Sequence, residues 1–531
     1  MRISSESFRV LSVLMWLALG SCLAGASDVY IAQSAPGSAN GSNCSNAYAA
    51  SFFNTTTNWG TGAGKIGPGI TVHVCGTITG TANTTVLSFH GSGTSGNPIT
   101  LLFELGAVVQ APYFASSVGG TTAGGISMGS GLSYLVVDGG TNGAVQNTAN
   151  GSSLIYQRAS TGVVGMNCSN CTVRNLTIAN IYVNVSGDGK LGDNSVARAL
   201  DITGSHWVVN NNTIHDCGWC LVEFYNNGDT DYQIYGNQIY NFGHGWALAT
   251  SIIGAATTNI AFHDNYVHDT SNWDAPGCPF HQDGLHVFGV TGSSIAGFYF
   301  YNNYVWGNWG SCPTGMIYIE GGGLTNQYWW NNVFIVGLPA IENTNGWVGI
   351  FGSSGSEVVS FYDNTIIGPN ANNNGLCLKI TGNGALTANN NLIHNCGDPI
   401  YVDSSRPVAV DYNFYGANNG GNAFVWNDSF KGSLTNWRAA CACDTHSVQN
   451  SSPQLNLDGS PQSTSPAVGT GANLTSIAAG ALASLSSDTT RGNTRVATAR
   501  PSNGSWASGA YSTPSGTTAP APPAALTVAV H

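Results

Sequence analysis

The sequence predicts an all-β fold, a parallel β-solenoid of about 10–12 coils behind an N-terminal cap. Three observations carry this. A short motif of alternating apolar residues ending in asparagine recurs through the middle of the chain. A second strand-like series, often flanked by glycine, lies between those asparagines. Only 8% of the 531 residues are charged while 42% are hydrophobic, with 70 glycines. An ordinary soluble domain carries about 25% charge, so core and surface here must be organised by something other than ion pairs. A disordered polar chain would lack so many core-forming residues.

Residues 1–26 read as a secretory signal: Arg2 and Arg9 precede an apolar run from Val10 to Leu19, and Ala24-Gly25-Ala26 offers small residues for cleavage. Leu19-Gly20-Ser21-Cys22 also has the form of a lipidation motif, so a lipoprotein anchored through Cys22 stands as the alternative to soluble export. Residues 27–70 form the expected cap, which shields the open edge of the first coil. Coils are expected over 71–430. Their anchor motifs include VVNNNTI (208–214), IYGNQI (234–239), FHDNYV (262–267), FYNNYV (300–305), WWNNVF (329–334), FYDNTI (361–366), TANNNLI (387–393) and VDYNFY (410–415). Period-2 alternation makes these strands. The anchors Asn212, Asn237, Asn265, Asn303, Asn332, Asn364, Asn391 and Asn413 recur every 22–38 residues. They are expected to stack at one corner, bonding one another and the turn backbone. The second series runs through ALDITG (199–204), CLVEFY (220–225), GLHVFG (284–289), MIYIEG (316–321), WVGIFG (347–352), LCLKITG (376–382) and PIYVDS (399–404). Residues 431–511 read as a closing region packed on the coils, and 512–531 as a flexible Pro/Ala/Thr-rich tail.

Export makes disulfides the default for the twelve cysteines that remain beyond Cys22. Cys44–Cys75, Cys278–Cys312 and Cys377–Cys396 are the expected pairs. The two C-x-x-C pairs, Cys168/Cys171 and Cys217/Cys220, are too far apart for the usual zinc ribbon. No apolar stretch beyond the leader reaches the ~18 residues of a membrane span. A net charge of -12 without a basic cluster argues against nucleic acid.

The stacked Asn motifs, the Gly-flanked second series and the closing segments WRAACACDTHSV (437–448), GSPQSTSPAVGTGANL (459–474), DTTRGNTR and ASGAY (507–511) together resemble the right-handed parallel β-helix proteins of the pectate-lyase-like superfamily, in its secreted bacterial form. The resemblance implies a right-handed β-helix. It does not fix an activity, because that superfamily holds lyases, hydrolases, epimerases and non-catalytic proteins.

The longest interval between anchors, 265 to 303, carries the chemistry. The chain has only 26 acidic residues and 12 histidines, yet His263, Asp264, His268, Asp269, Asp274, His281, Asp283 and His286 fall within it or just before it. Stacking Gly218, Gly245, Gly315 and Gly346 would put Glu223, Thr250, Phe288 and Glu320 in one outward column, with His286 and Tyr318 two residues earlier. Glycoside hydrolysis needs two carboxylates, and Asp283, Glu320 and Glu223 are the candidates, with His286 to orient or tune them. Trp273, His281, Tyr318, Trp306 and Trp309 are the candidate substrate contacts, since aromatic faces suit sugar rings as well as core packing. His281, Asp283 and His286 are also chemically suited to a metal. His263 and Asp264 read as corner residues, Asp269 and Asp274 as loop caps.

Two enzyme templates fit in part. Gly243-His244-Gly245 is similar to the Gly-His-Gly of polygalacturonase-type hydrolases, but their aspartates are missing from the preceding coil, which reads Gly218-Trp219-Cys220. A lyase would use Lys190 or Arg198 beside Asp188, Asp193 and Asp201, with Ca²⁺ as cofactor, but the chain has few cations to meet a polyanion. The expectation is a secreted or periplasmic, monomeric enzyme acting on an extracellular polysaccharide. A glycoside hydrolase needing no cofactor comes first, a polysaccharide lyase second, and a non-catalytic carbohydrate-binding or adhesin-like solenoid third.

Overall fold

A computed structural model describes residues 28–151, 153–184, 196–274, 282–290, 292–310, 312–320, 323–336, 348–351, 357–368, 376–417 and 424–512. The leader and the tail beyond Ser512 lie outside these residues, as do His281, Cys278 and Lys190. The chain is a right-handed parallel β-helix. Among the described residues, every pairing between named strands is parallel except Val425–Trp426 with Ser429–Phe430.

Each coil visits three sheets in turn. Sheet 1 contains Trp207–Asn210, Thr230–Tyr235, Ala256–His263, Ser294–Tyr301, Asn326–Trp330, Val358–Tyr362, Leu386–Asn389 and Val408–Asp411. A tight corner leads to sheet 2, which includes Tyr266–His268, Tyr304–Trp306, Val333–Ile335, Thr365–Ile367 and Leu392–His394. Sheet 3 includes Asp283–Phe288, Gly315–Ile319, Leu376–Ile380 and Asp398–Val402. Thr213–Phe224 and Gln238–Ala249 run through both sheets 2 and 3 without a break. Apolar columns such as Leu221, Trp246, Leu285 and Ile317 fill the interior.

The corner between sheets 1 and 2 explains the asparagines. At every step the backbone N–H and the Nδ2 of one anchor donate to Oδ1 of the next, at 2.9–3.2 Å, from Asn212 through to Asn413. The other Nδ2 hydrogen reaches a strand carbonyl of the preceding sheet, such as Phe300 O at 2.8 Å. The residue before each anchor is Asn211, Gly236, Asp264, Asn302, Asn331, Asp363, Asn390 or Tyr412, with φ from 51° to 66°. Asn, Asp and Gly are the residue types that tolerate this left-handed turn best, which is why the motif reads Asn-Asn, Gly-Asn or Asp-Asn at every corner except Tyr412-Asn413.

Cys44–Cys75 and Cys377–Cys396 are bonded as the sequence suggests. The C-x-x-C pairs close on themselves, Cys168 to Cys171 and Cys217 to Cys220, and Cys441 bonds Cys443. Cys312 is also disulfide-bonded. No helix among the described residues is long and apolar enough to cross a membrane.

The last part of the chain runs back along the corner between sheets 1 and 2. It grips the left-handed residues themselves: Thr490 bonds Asp264, Gly492 N–H donates to Asn302 O, Arg500 reaches Asn331 and Asp363, Ala472 pairs with Asn390, and Ser508 donates to Tyr412 O.

Candidate active site

Sheet 3 brings the site together from three successive coils. His244 stands opposite Asp283, and Asp283 opposite Gly315; three residues on, Ala247 stands opposite His286 and His286 opposite Tyr318. Gly245 and Gly284 make the close stacking possible. A Cβ on Gly284 would meet Met316 O at 2.5 Å and the Trp309 ring at 2.9 Å, and one on Gly245 would meet Gly284 O at 2.6 Å. His244 and Asp283 face outward just before these glycines, while Trp246 and Leu285 just after them point into the core.

The side chains converge. His244 Nε2 lies 3.0 Å from His286 Nδ1 and 3.4 Å from Asp283 Oδ2, and His286 Nδ1 lies 3.6 Å from the same oxygen. On the opposite edge of its ring, His286 Nε2 is 3.1 Å from Glu320 Oε2. Asp283 is fully buried, whereas the Glu320 side chain is 51% exposed. Burial pushes the Asp283 carboxyl well above the usual carboxylate range; the Gly315 backbone N–H opposes this and the Glu320 charge adds to it. Trp219 packs on the His244 ring at 4.7 Å, and Tyr318 on His286 at 5.1 Å. Burial, then Glu320 and Asp283, raise the Tyr318 hydroxyl.

The sequence therefore brings Asp283, His286, Tyr318 and Glu320 to one place, but not Glu223. Asp283 aligns with His244 and Trp219, not with Gly245 and Gly218 as glycine stacking suggested. A net offset of one residue swaps the faces of a strand. Glu223 accordingly pairs with Leu248, in line with Val287 and Ile319, and is sealed inside the helix. Burial, with Asp229 adding to it, holds its carboxyl well above the usual range.

The tryptophans also depart from expectation. Trp273 is buried against Tyr182, with ring centroids 4.4 Å apart. Trp309 is buried against Phe242 in the core. Neither presents a face to a ligand. Trp306 is half-buried on sheet 2, packed with Tyr304 and one sheet away from the cluster. The neighbouring rings His215, Tyr240 and His268 stack at 4.7 and 4.9 Å, so each covers the face of the next. Coil spacing of about 4.8 Å thus turns outward aromatics into closed columns.

His244 is the residue that sequence reasoning set aside. Its signal was the Gly-His-Gly triplet, discounted because the preceding coil lacks aspartates; the carboxylate comes from the following coil, as Asp283. Of the lyase candidates, Arg198 is buried and paired with Asp201 at 2.8 Å, its guanidinium over Phe224. Asp188 and Asp193 lie outside the described residues.

Comparison with solved structures finds a pectate lyase, Pel9A, at TM-score 0.38 and 15% identity, covering 92% of this chain and 97% of that one. A complex of XylC with xylose follows at TM-score 0.35 and 10% identity, covering 81% and 87%. These likenesses concern the fold alone. No protein-family model and no curated protein sequence matches the chain.

Proposed function

We propose that this chain is an exported enzyme that hydrolyses an extracellular polysaccharide at the sheet 3 cluster. One observation carries the reading: two carboxylates from adjacent coils, Asp283 and Glu320, flank a single imidazole, His286, each facing a different ring nitrogen. Glycoside hydrolysis runs on carboxylates set at the scissile bond; Glu320 is the one this cluster exposes, and the imidazole held between it and Asp283 fixes its position. Glu320, the exposed member, meets the sugar. Asp283, the buried member, fixes both imidazoles, and Tyr318 lines the approach.

Incubating the purified chain with neutral and uronate polysaccharides tests this. Hydrolysis gives new reducing ends without the unsaturated-uronate absorbance; both signals together mean elimination, and neither means a binding protein. Asp283→Asn and Glu320→Gln are each expected to lower the rate at least ~100-fold. Full activity in both variants would remove the cluster from the reaction.

A further inference from the structure

We propose that His244 Nε2, Asp283 Oδ2 and His286 Nδ1 form a three-ligand site for a divalent transition metal of the Zn²⁺ type. The three atoms define a triangle with edges of 3.0, 3.4 and 3.6 Å. A tetrahedral ion with bonds of ~2.0–2.1 Å holds its donors about 3.3–3.4 Å apart, a value these edges bracket. All three residues are buried, and they meet as one group of potential ligands. Two imidazoles and one carboxylate are a donor set for zinc and its neighbours in the transition series, whereas Ca²⁺ and Mg²⁺ take oxygen cages.

Two further observations point to an ion. The Asp283 side chain is fully buried, yet beyond the Gly315 backbone N–H its nearest polar neighbours are the two imidazole nitrogens at 3.4 and 3.6 Å, too far for good hydrogen bonds and close to the spacing of two ligands on one ion. Buried carboxylates are paired or ligate a metal, because desolvating an isolated charge is costly. The outer contact is also in place. A metal-bound histidine commonly donates its other ring N–H to a carboxylate, which fixes the tautomer, and His286 Nε2 faces Glu320 Oε2 at 3.1 Å. Glu320 thus acts as a positioning residue for the ligand His286. Three protein ligands leave the fourth tetrahedral position open, as in catalytic rather than structural zinc sites. The residues come from two coils, so the backbone stacking that builds the β-helix also presets the triangle.

The experiment is a Zn²⁺ titration of the chelator-treated full chain by calorimetry, with Co²⁺ as a spectroscopic probe. One Zn²⁺ per chain is expected, and bound Co²⁺ shows the intense visible bands of tetrahedral coordination. His244→Ala lowers affinity at least ~100-fold, and Glu320→Gln lowers it ~10–100-fold by loosening His286. Circular dichroism checks that each variant is folded. Absence of Zn²⁺ binding by the wild-type chain, or wild-type affinity in folded His244→Ala, overturns the site. If His244→Ala fails to fold, wild-type affinity in Glu320→Gln, whose changed side chain is half exposed, overturns it instead. Metal binding without polysaccharide cleavage leaves the site standing and removes the hydrolase reading. Cleavage by a chain that binds no metal does the reverse.

Discussion

Replacing Asn332 by alanine removes one rung from the middle of the corner ladder. Its side chain donates to Phe300 O at 2.8 Å and Asn364 Oδ1 at 3.0 Å, and accepts from Asn303 N and Asn303 Nδ2, both at 3.1 Å. The site is fully buried, so water cannot replace what is lost. Alanine strands the Asn303 N–H, one hydrogen of its amide and the Phe300 carbonyl. Each stranded buried group costs about 1–3 kcal/mol, which gives about 3–9 kcal/mol for the three. That is a large part of the ~5–15 kcal/mol that stabilises a typical native chain. Urea unfolding followed by tryptophan fluorescence and far-UV circular dichroism measures the loss. Asn212, at the start of the ladder, is the internal comparison: among the described residues its Oδ1 accepts only from Leu176 N–H, at 3.1 Å. Asn212→Ala should therefore cost about one stranded group less. A loss below ~1 kcal/mol for Asn332→Ala, or a larger loss for Asn212→Ala, would refute the stranded-group argument.

Other outcomes follow from single residues. Glu223→Met should leave polysaccharide cleavage unchanged and raise stability by about 1 kcal/mol at pH 7, because a buried carboxyl without partners is replaced by an apolar chain of similar length. The native chain holds the Glu223 proton while the unfolded chain releases it above about pH 4.5, so the gain should grow as pH rises from there; a flat difference between variants would contradict this. Arg500→Met breaks a buried contact with Asp363 and Asn331 and is expected to cost about 3 kcal/mol in the same urea assay. His394 is held neutral by burial, its pKa lowered to about 4 from the ordinary 6.5, and its Nδ1 accepts from the Ala417 N–H at 3.1 Å. The unfolded chain takes up a proton below pH 6.5 that the native chain refuses, so stability should fall between pH 6.5 and 4 by about 3 kcal/mol. A His394→Gln variant should lose that slope, and an NMR titration placing His394 near 6.5 would overturn the assignment.

The corner between sheets 1 and 2 was legible in the sequence, residue by residue, because two chemical requirements coincide there. A left-handed turn selects Asn, Asp or Gly, and the next position needs an amide that both donates and accepts. The register of sheet 3 was not legible. Trp219 faces outward with Val222 and Phe288, yet Leu221, two positions on, points into the core. Alternation is broken where the strand bends beside Cys217–Cys220, and counting from a glycine then lands on the wrong face. That slip hid Glu223 in the interior. Asp283, His286, Tyr318 and Glu320 survived it because they lie on adjacent strands beyond the bend. Trp273 and Trp309 lie in the interior for another reason. Ring type alone does not tell a sugar platform from a column whose faces are already closed by the coils above and below.

The C-terminal run along the corner changes how the molecule should unfold. A bare solenoid is a one-dimensional array in which each coil feels only its neighbours, so it can fray from either end. Here one segment touches Asp264, Asn302, Asn331, Asp363, Asn390 and Tyr412, residues that belong to six different coils. Losing any one of those coils also loosens the segment's hold on the other five. Coils downstream of residue 264 are thereby tied into a single cooperative block, while those upstream keep the independent melting of an ordinary repeat array.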